Sequence, residues 1–315
     1  MKVVRARVSG FCMGVRRAVD LACTQANACL EAAVCHADSC MQTGAYTLGP
    51  LIHNPKVLEE LERRGVQVID ENRLPYNLNN VSVIIRAHGI SPQTEAELRE
   101  RGAKVIDATC PRVKASQLKA AAFAEAGFGL FLAGEEHHAE IAGIKGYAQA
   151  GFARSEMAPF CVTVGNTAEA GALARRLSAG RLFTENADTK TALIGQTTIT
   201  AEEYKTIGEA VKKYFPNVEI AQTICPATEE RQESLRELTD TVEAVIIAGG
   251  KESANTRRLL AVAQTAGIPC VLVETEAEIP PEFFCFKTVG LAAGASTPDS
   301  LVDAIEQMLE NGVEY

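Results

Sequence analysis

Short, nearly continuous apolar runs recur along the chain, each followed by a longer segment in which apolar residues return every three or four positions. "VSVIIRAHG" leads into "SPQTEAELRERG", "GLFLAG" into "EEHHAEIAGIKGYAQ", and "EAVIIAGG" into "SANTRRLLAVAQTAG". An apolar run bounded by glycine or polar residues reads as a strand buried on both faces, and the periodic segment after it as a covering helix. This strand-then-helix rhythm predicts parallel sheets with helices on both sides, an α/β fold. In such sheets ligands bind beyond the carboxyl ends of the strands. Chemistry is therefore expected just after each apolar run.

Those positions carry polar and small residues. "IIRAHG" supplies His88, "FLAGEEHHAE" supplies His137, His138 and Glu140, and "LIGQTT" supplies Gln196, Thr197 and Thr198. "IIAGGKESAN" adds Ser253 and Asn255, and "GLAAGAST" adds Gly294 and Ser296. Each of these types also serves as a turn or N-cap residue. Five such loops in one chain point instead to the walls of one polar pocket.

Two strand ends share a further feature. "IDATCPRV" and "TICPAT" each place a cysteine after a strand-like stretch and directly before proline, at Cys110 and Cys225. Cys12, after "KVVRARVSGF", has the same strand-then-helix setting. A cysteine there lies at a helix N-terminus, where the helix dipole favours thiolate, the metal-binding form. The three are 98 and 115 residues apart, about the size of one small α/β module. The spacing predicts three modules: 11–109, 110–223, and 224–315 joined by 1–10, each offering one cysteine to a common centre.

Composition narrows the function. The chain has 315 residues, 47% hydrophobic and 23% charged, with a net charge of −9, so a large core is possible and a basic nucleic-acid or membrane-binding face is not expected. No apolar run reaches the roughly 20 residues of a membrane span, and the start lacks a signal-peptide pattern. A cytoplasmic location is expected, where the ten cysteines remain thiols. Cys23 and Cys29 read as helix packing, and Cys161, Cys270 and Cys285 as buried structural thiols. Cys35, His36 and Cys40 resemble half of a metal site without a second half.

Taken in order, "GFCMGVRRA", "GPLIHNPKVLEELERRGV", "RAHG", "DATCP", "HHAEIAG", "GQTT", "ICPAT", "SAN" and "AGASTPD" resemble the 4-hydroxy-3-methylbut-2-enyl diphosphate reductase family over about residues 7–308. This family supplies the iron-sulfur enzyme of the last step of the methylerythritol phosphate route to isoprenoids. The resemblance implies three α/β modules in pseudo-threefold arrangement around a 4Fe-4S cluster, held here by Cys12, Cys110 and Cys225. Three ligands leave one iron open to substrate, as a catalytic metal requires.

The family reaction removes an allylic hydroxyl as water and yields isopentenyl and dimethylallyl diphosphates. By resemblance, Glu140 would supply protons, with Thr197 and His138 completing the catalytic set. His53, His88, His138, Gln196, Thr197, Thr198, Ser253, Ala254, Asn255 and Ser296 would line the substrate diphosphate. Such a pocket would bind the anion through imidazoles, hydroxyls and helix N-termini in place of lysine or arginine. A reduced ferredoxin or flavodoxin type donor would bring electrons, with Lys2, Arg5, Arg7, Arg16 and Arg17 as a basic docking region.

The chain departs from the family pattern at three places. Ala254 replaces a serine, Glu135 and Ala139 replace a histidine and a proline beside His138, and residues 25–46 form a longer segment. Two other readings compete. A non-catalytic iron-sulfur sensor would need neither Glu140 with Thr197 nor three histidines. A zinc-structured nucleotide-binding protein would need a fourth ligand and a glycine-rich phosphate loop, which the chain lacks.

Overall fold

The structure, a computed structural model, describes residues 1–35, 44–52, 54–71, 73–155, 160–179 and 190–312, the side chains of 30–35 excepted. Its strands are β1 (Lys2–Arg5), β2 (Gly44–Leu48), β3 (Val66–Ile69), β4 (Val81–Ile85), β5 (Lys104–Asp107), β6 (Gly129–Ala133), β7 (Cys161–Val164), β8 (Thr191–Gly195), β9 (Glu219–Ile220), β10 (Ala244–Ala248), β11 (Cys270–Val273) and β12 (Thr288–Ala293). Its helices are α1 (Met13–Cys35), α2 (Pro55–Arg63), α3 (Pro92–Glu100), α4 (Pro111–Glu125), α5 (Ala139–Ser155), α6 (Thr167–Ala179), α7 (Ala201–Lys212), α8 (Pro226–Thr239), α9 (Ala254–Thr265) and α10 (Asp299–Asn311). Among the described residues, no helix is long and apolar enough to cross a membrane.

The strands form three four-stranded sheets, ordered β1-β12-β10-β11, β3-β2-β4-β5 and β7-β6-β8-β9. The α/β expectation holds, and the pairings of β12, β10, β4, β6 and β8 with their neighbours are parallel. The continuous apolar runs are the inner strands: every residue of β4, β6, β8 and β10 is buried. Two layers make each such strand inaccessible. In β10, Ala244, Ile246 and Ala248 face a cluster with Leu301, Val302, Ile305 and Leu309 of α10. The alternate residues Val245 and Ile247 face Leu235 and Leu238 of α8 and Leu259 and Ala263 of α9. Side chains alternate across a strand, so one run fills both layers. Burying each Ile contributes about 1.5–3 kcal/mol.

The described chain divides into two compact units. One comprises Met1–Asn27, Pro50–Gln67 and Pro226–Tyr315, and the other Ala28–Gly49 and Val68–Cys225. The first contains the β1-β12-β10-β11 sheet, and the second contains the β7-β6-β8-β9 sheet with β2, β4 and β5. Within the second unit α4 and α5 pack through small residues. A methyl group on Gly151 of α5 would lie 2.4 Å from the Ala121 carbonyl oxygen and 2.8 Å from the Ala124 methyl. That close approach sets the packing distance between the C-terminal parts of α4, which follows Cys110, and α5, whose first turn holds Glu140.

Candidate active site

Each of the three cysteines sits in the same local build. It follows an edge strand (β1, β5 or β9) and directly precedes a helix (α1, α4 or α8). Its amide donates to a carbonyl two residues past the end of the adjacent inner strand: Cys12 to Ala295 (3.0 Å), Cys110 to Ala87 (2.9 Å) and Cys225 to Thr197 (2.9 Å). The carbonyls of Cys12 and Cys110 accept the first helical bonds, from Arg16 and Lys114. None of the three is in a disulfide, and each is half-buried. Proline at the first helical position after Cys110 and Cys225 costs no hydrogen bond there.

The remaining thiols differ. Burial pushes the Cys161 thiol up to about 11 and raises that of Cys270, so both stay protonated near neutrality and suit a structural role. Cys285 is exposed, contrary to the expectation that it is buried, because it ends a surface 3-10 turn (Pro281–Cys285) in which Phe283 takes the core position. Cys23 and Cys29 lie half-buried on α1. His53, His36 and Cys40, with the side chain of Cys35, lie outside the described residues.

In the second unit a polar chain links the loops of Cys110 and Cys225. Ala87, whose carbonyl receives the Cys110 amide, precedes His88, and the His88 ring meets His138 edge-on at 5.2 Å between centroids. His138 Nδ1 accepts the Glu140 amide at 3.2 Å, which places the imidazole proton on Nε2, as a donor. Glu140 is buried in the first turn of α5. Its Oε1 accepts the Thr197 amide at 2.7 Å, and Oε2 meets the Thr197 hydroxyl at 2.9 Å. Thr197 then closes the chain through its carbonyl, which accepts the Cys225 amide. An amide only donates, so Oε1 is fixed as an acceptor. A hydroxyl donates or accepts, so Oε2 is the oxygen able to carry a proton and pass it through Thr197.

The neighbouring residues brace this chain. Gln196, wholly buried, uses its Oε1 for the Glu135 amide and its Nε2 for the Thr198 hydroxyl, both at 3.0 Å. Tyr204 donates to the Leu193 and Ala221 carbonyls, and the Thr223 hydroxyl accepts the Gly195 amide. Asp107 accepts the Thr109 amide (2.9 Å) and Lys114 Nζ (3.0 Å), which also reaches the Tyr147 hydroxyl. Burial is the largest influence on the Asp107 carboxyl and pushes it up, but the bonds from Thr109 and Lys114 together outweigh it and hold the group below its ordinary range. The sequence reading missed Asp107, Lys114, Tyr147, Tyr204 and Thr223. None sits just after an inner strand, and none is a cysteine or a residue that the family resemblance assigned to the site.

In the first unit Ser253 caps α9, its hydroxyl accepting the Thr256 amide at 3.4 Å. Ala254 and Asn255 occupy the first turn, buried, and Asn255 Nδ2 has no hydrogen-bond partner among the described residues. Ser296 is buried in the loop after β12, beside Thr297, whose hydroxyl donates to the Ala248 carbonyl at 2.9 Å. Much of the basic N-terminal region is neutralised: Arg5 pairs with Asp303 and Glu306, Arg7 with Glu237 and Arg16 with Asp299. Among the described residues no three His, Cys, Asp or Glu side chains are gathered as around a metal ion. The cysteine ligand set rests on the motif match and on the chemistry of the three junctions.

A family model described as LytB protein matches residues 3–310. The chain belongs to the LytB family, that of 4-hydroxy-3-methylbut-2-enyl diphosphate reductase. A relative of that name in Treponema denticola is 41% identical over 314 residues, covering 99% of this chain and 100% of its own length. One in Treponema pallidum is 40% identical over 338 residues, covering 98% and 84%. A solved structure of (E)-4-hydroxy-3-methyl-but-2-enyl diphosphate reductase, titled the terminal enzyme of the non-mevalonate pathway, aligns with a TM-score of 0.68 at 33% identity over 99% of this chain and 100% of that one. The Plasmodium falciparum reductase aligns with a TM-score of 0.78 at 24% identity, over 98% and 87%, and supports the fold. As a LytB-family member the chain is an oxidoreductase.

Proposed function

We propose that this LytB-family chain converts (E)-4-hydroxy-3-methylbut-2-enyl diphosphate to isopentenyl and dimethylallyl diphosphates. The observation that carries the reading is the buried Glu140–Thr197 pair, in which one carboxylate oxygen is locked as acceptor and the other faces a hydroxyl. The reaction breaks one C–O bond, forms one C–H bond and releases water, consuming two electrons and two protons. A proton source held away from bulk water is therefore required, and Oε2 of Glu140 is that source, with Thr197 relaying.

Cys12, Cys110 and Cys225 would hold a 4Fe-4S cluster, three protein ligands that would leave one iron open for substrate. Three non-disulfide thiols, each half-buried at the N-terminus of a helix, fit thiolate ligation. When bound, the cluster supplies electrons and a Lewis-acid site for the substrate oxygen. A reduced ferredoxin or flavodoxin type protein delivers the electrons. His138 offers Nε2–H as a donor, and His88 stands beside it. Asn255, with an unused buried amide donor, binds the diphosphate together with Ser253, Ser296 and the backbone of Ala254 at the α9 N-terminus. By the family resemblance, His53, Gln196 and Thr198 would also belong to the substrate-binding set.

The test is an anaerobic preparation with iron and sulfide counts and a visible spectrum, before and after adding the allylic diphosphate. A brown protein whose spectrum changes with substrate and which forms both products supports the reading. A cluster indifferent to substrate supports the sensor reading instead. Zinc without sulfide overturns both.

A further inference from the structure

The three cysteine junctions share their backbone bonds but differ in length and bracing. Two residues separate β5 from Cys110 and four separate β9 from Cys225, whereas six separate β1 from Cys12. The longest connection has the most conformational freedom to lose. It also contains Gly10 at φ +74°, where a side chain would be strained and would collide with Asp299.

The brace for this loop is helix α8. Arg231 Nη1 donates to the Val8 carbonyl (3.4 Å) and to the Ala293 carbonyl (3.0 Å), while Ser234 Oγ accepts the Val8 amide at 3.1 Å. Arg231 and Ser234 are three apart and share one helix face. Both backbone groups of Val8, four residues before Cys12, are thereby taken by α8. Ala293 ends β12, two residues before Ala295, whose carbonyl accepts the Cys12 amide. One guanidinium thus ties the loop that precedes Cys12 to the strand end that leads to the partner of the Cys12 amide.

Arg231 is only 3% exposed. A charge so buried is retained at a cost unless its donors are used, and here one terminal nitrogen, Nη1, serves both carbonyls from the end of a planar side chain that reaches one bond further than lysine. No motif singled out Arg231 in the sequence, because it lies mid-helix, remote from every strand end.

We propose that Arg231, assisted by Ser234, is a positioning residue that holds Cys12 where it ligates the cluster. This rests on the assignment of Cys12 as a ligand made above. Arg231→Lys keeps the charge and shortens the reach of the donor to the two carbonyls by one bond, and Ser234→Ala removes only the bond to the Val8 amide. In anaerobically purified holoenzyme, Arg231→Lys loses its cluster on exposure to air about fivefold faster or more, on the scale of one lost hydrogen bond.

Trapping thiols with iodoacetamide during that loss, read by mass spectrometry, labels Cys12 faster relative to Cys110 and Cys225. Ser234→Ala shows the same bias more weakly, and carries the test if Arg231→Lys does not fold. Equal acceleration at all three thiols would mean general loosening and would overturn the proposal, as would cluster retention and labelling unchanged from the parent. If the parent contains no iron, the cluster assignment fails by itself. The relative labelling of Cys12 in that protein still decides whether the brace exists.

Discussion

The loops proposed to carry the proton and the loop proposed to bind the anion are built on opposite principles. Around Glu140 nearly every polar group is engaged: both carboxylate oxygens by Thr197, His138 Nδ1 by the Glu140 amide, and both ends of Gln196 by Glu135 and Thr198. Around Asn255, Ser253 is spent on the cap of α9 while the Asn255 amide nitrogen stays buried and unmatched. A proton donor must be aimed before substrate arrives, because misdirected acid chemistry gains nothing from binding. An anion site works differently: a buried donor without a protein acceptor carries a desolvation penalty that the ligand relieves.

The sharpest way to break this comparison is Glu140→Gln, which keeps size and hydrogen bonding but removes the transferable proton. Turnover should fall by about a hundredfold or more with iron, sulfide and substrate affinity retained. Near-normal single-turnover rates would remove Glu140 from the proton role.

Asn255→Ala comes next. It should weaken substrate and inorganic pyrophosphate binding by about tenfold, the equivalent of one hydrogen bond to a charged group, with kcat little changed. Melting should change little, because Nδ2 bonds to no group among the described residues. A large loss of thermal stability without a change in KM would make Asn255 a structural residue and erase the contrast.

Ser253→Ala tests the same loop from the other direction. Loss of the cap should cost about 1 kcal/mol of stability, read as a lower unfolding midpoint, with a smaller effect on KM than Asn255→Ala. The smallest effect is expected from Ala254→Ser, which restores a hydroxyl that the family pattern has. Diphosphate affinity should rise by no more than about fivefold, measured as KM at constant kcat.

Local pattern was enough for the inner strands and for the residues that stand at their ends. β4, β6, β8 and β10 are apolar throughout because both faces are covered, and that alone marks them as inner strands. The residues after them, His88, His138, Glu140, Thr197 and Ser253, were legible because parallel sheets expose chemistry at strand ends. The two Cys-Pro junctions were legible for the same reason. Cys285 was misread because an apolar neighbourhood in sequence does not say which residue of a short turn faces the core.

The sequence by itself thus determined the fold class, the strand-end loops and the identity of the groups they carry, since each follows from periodicity and residue chemistry within a short window. Only the tertiary structure decided how those groups are held. Thr197 reaches Glu140 across 57 positions, and Arg231 reaches Val8 across 223. Such bonds depend on which strands become neighbours and how closely α4 and α5 approach. No local pattern encodes that, because strand order and helix contact are settled by packing of the whole core.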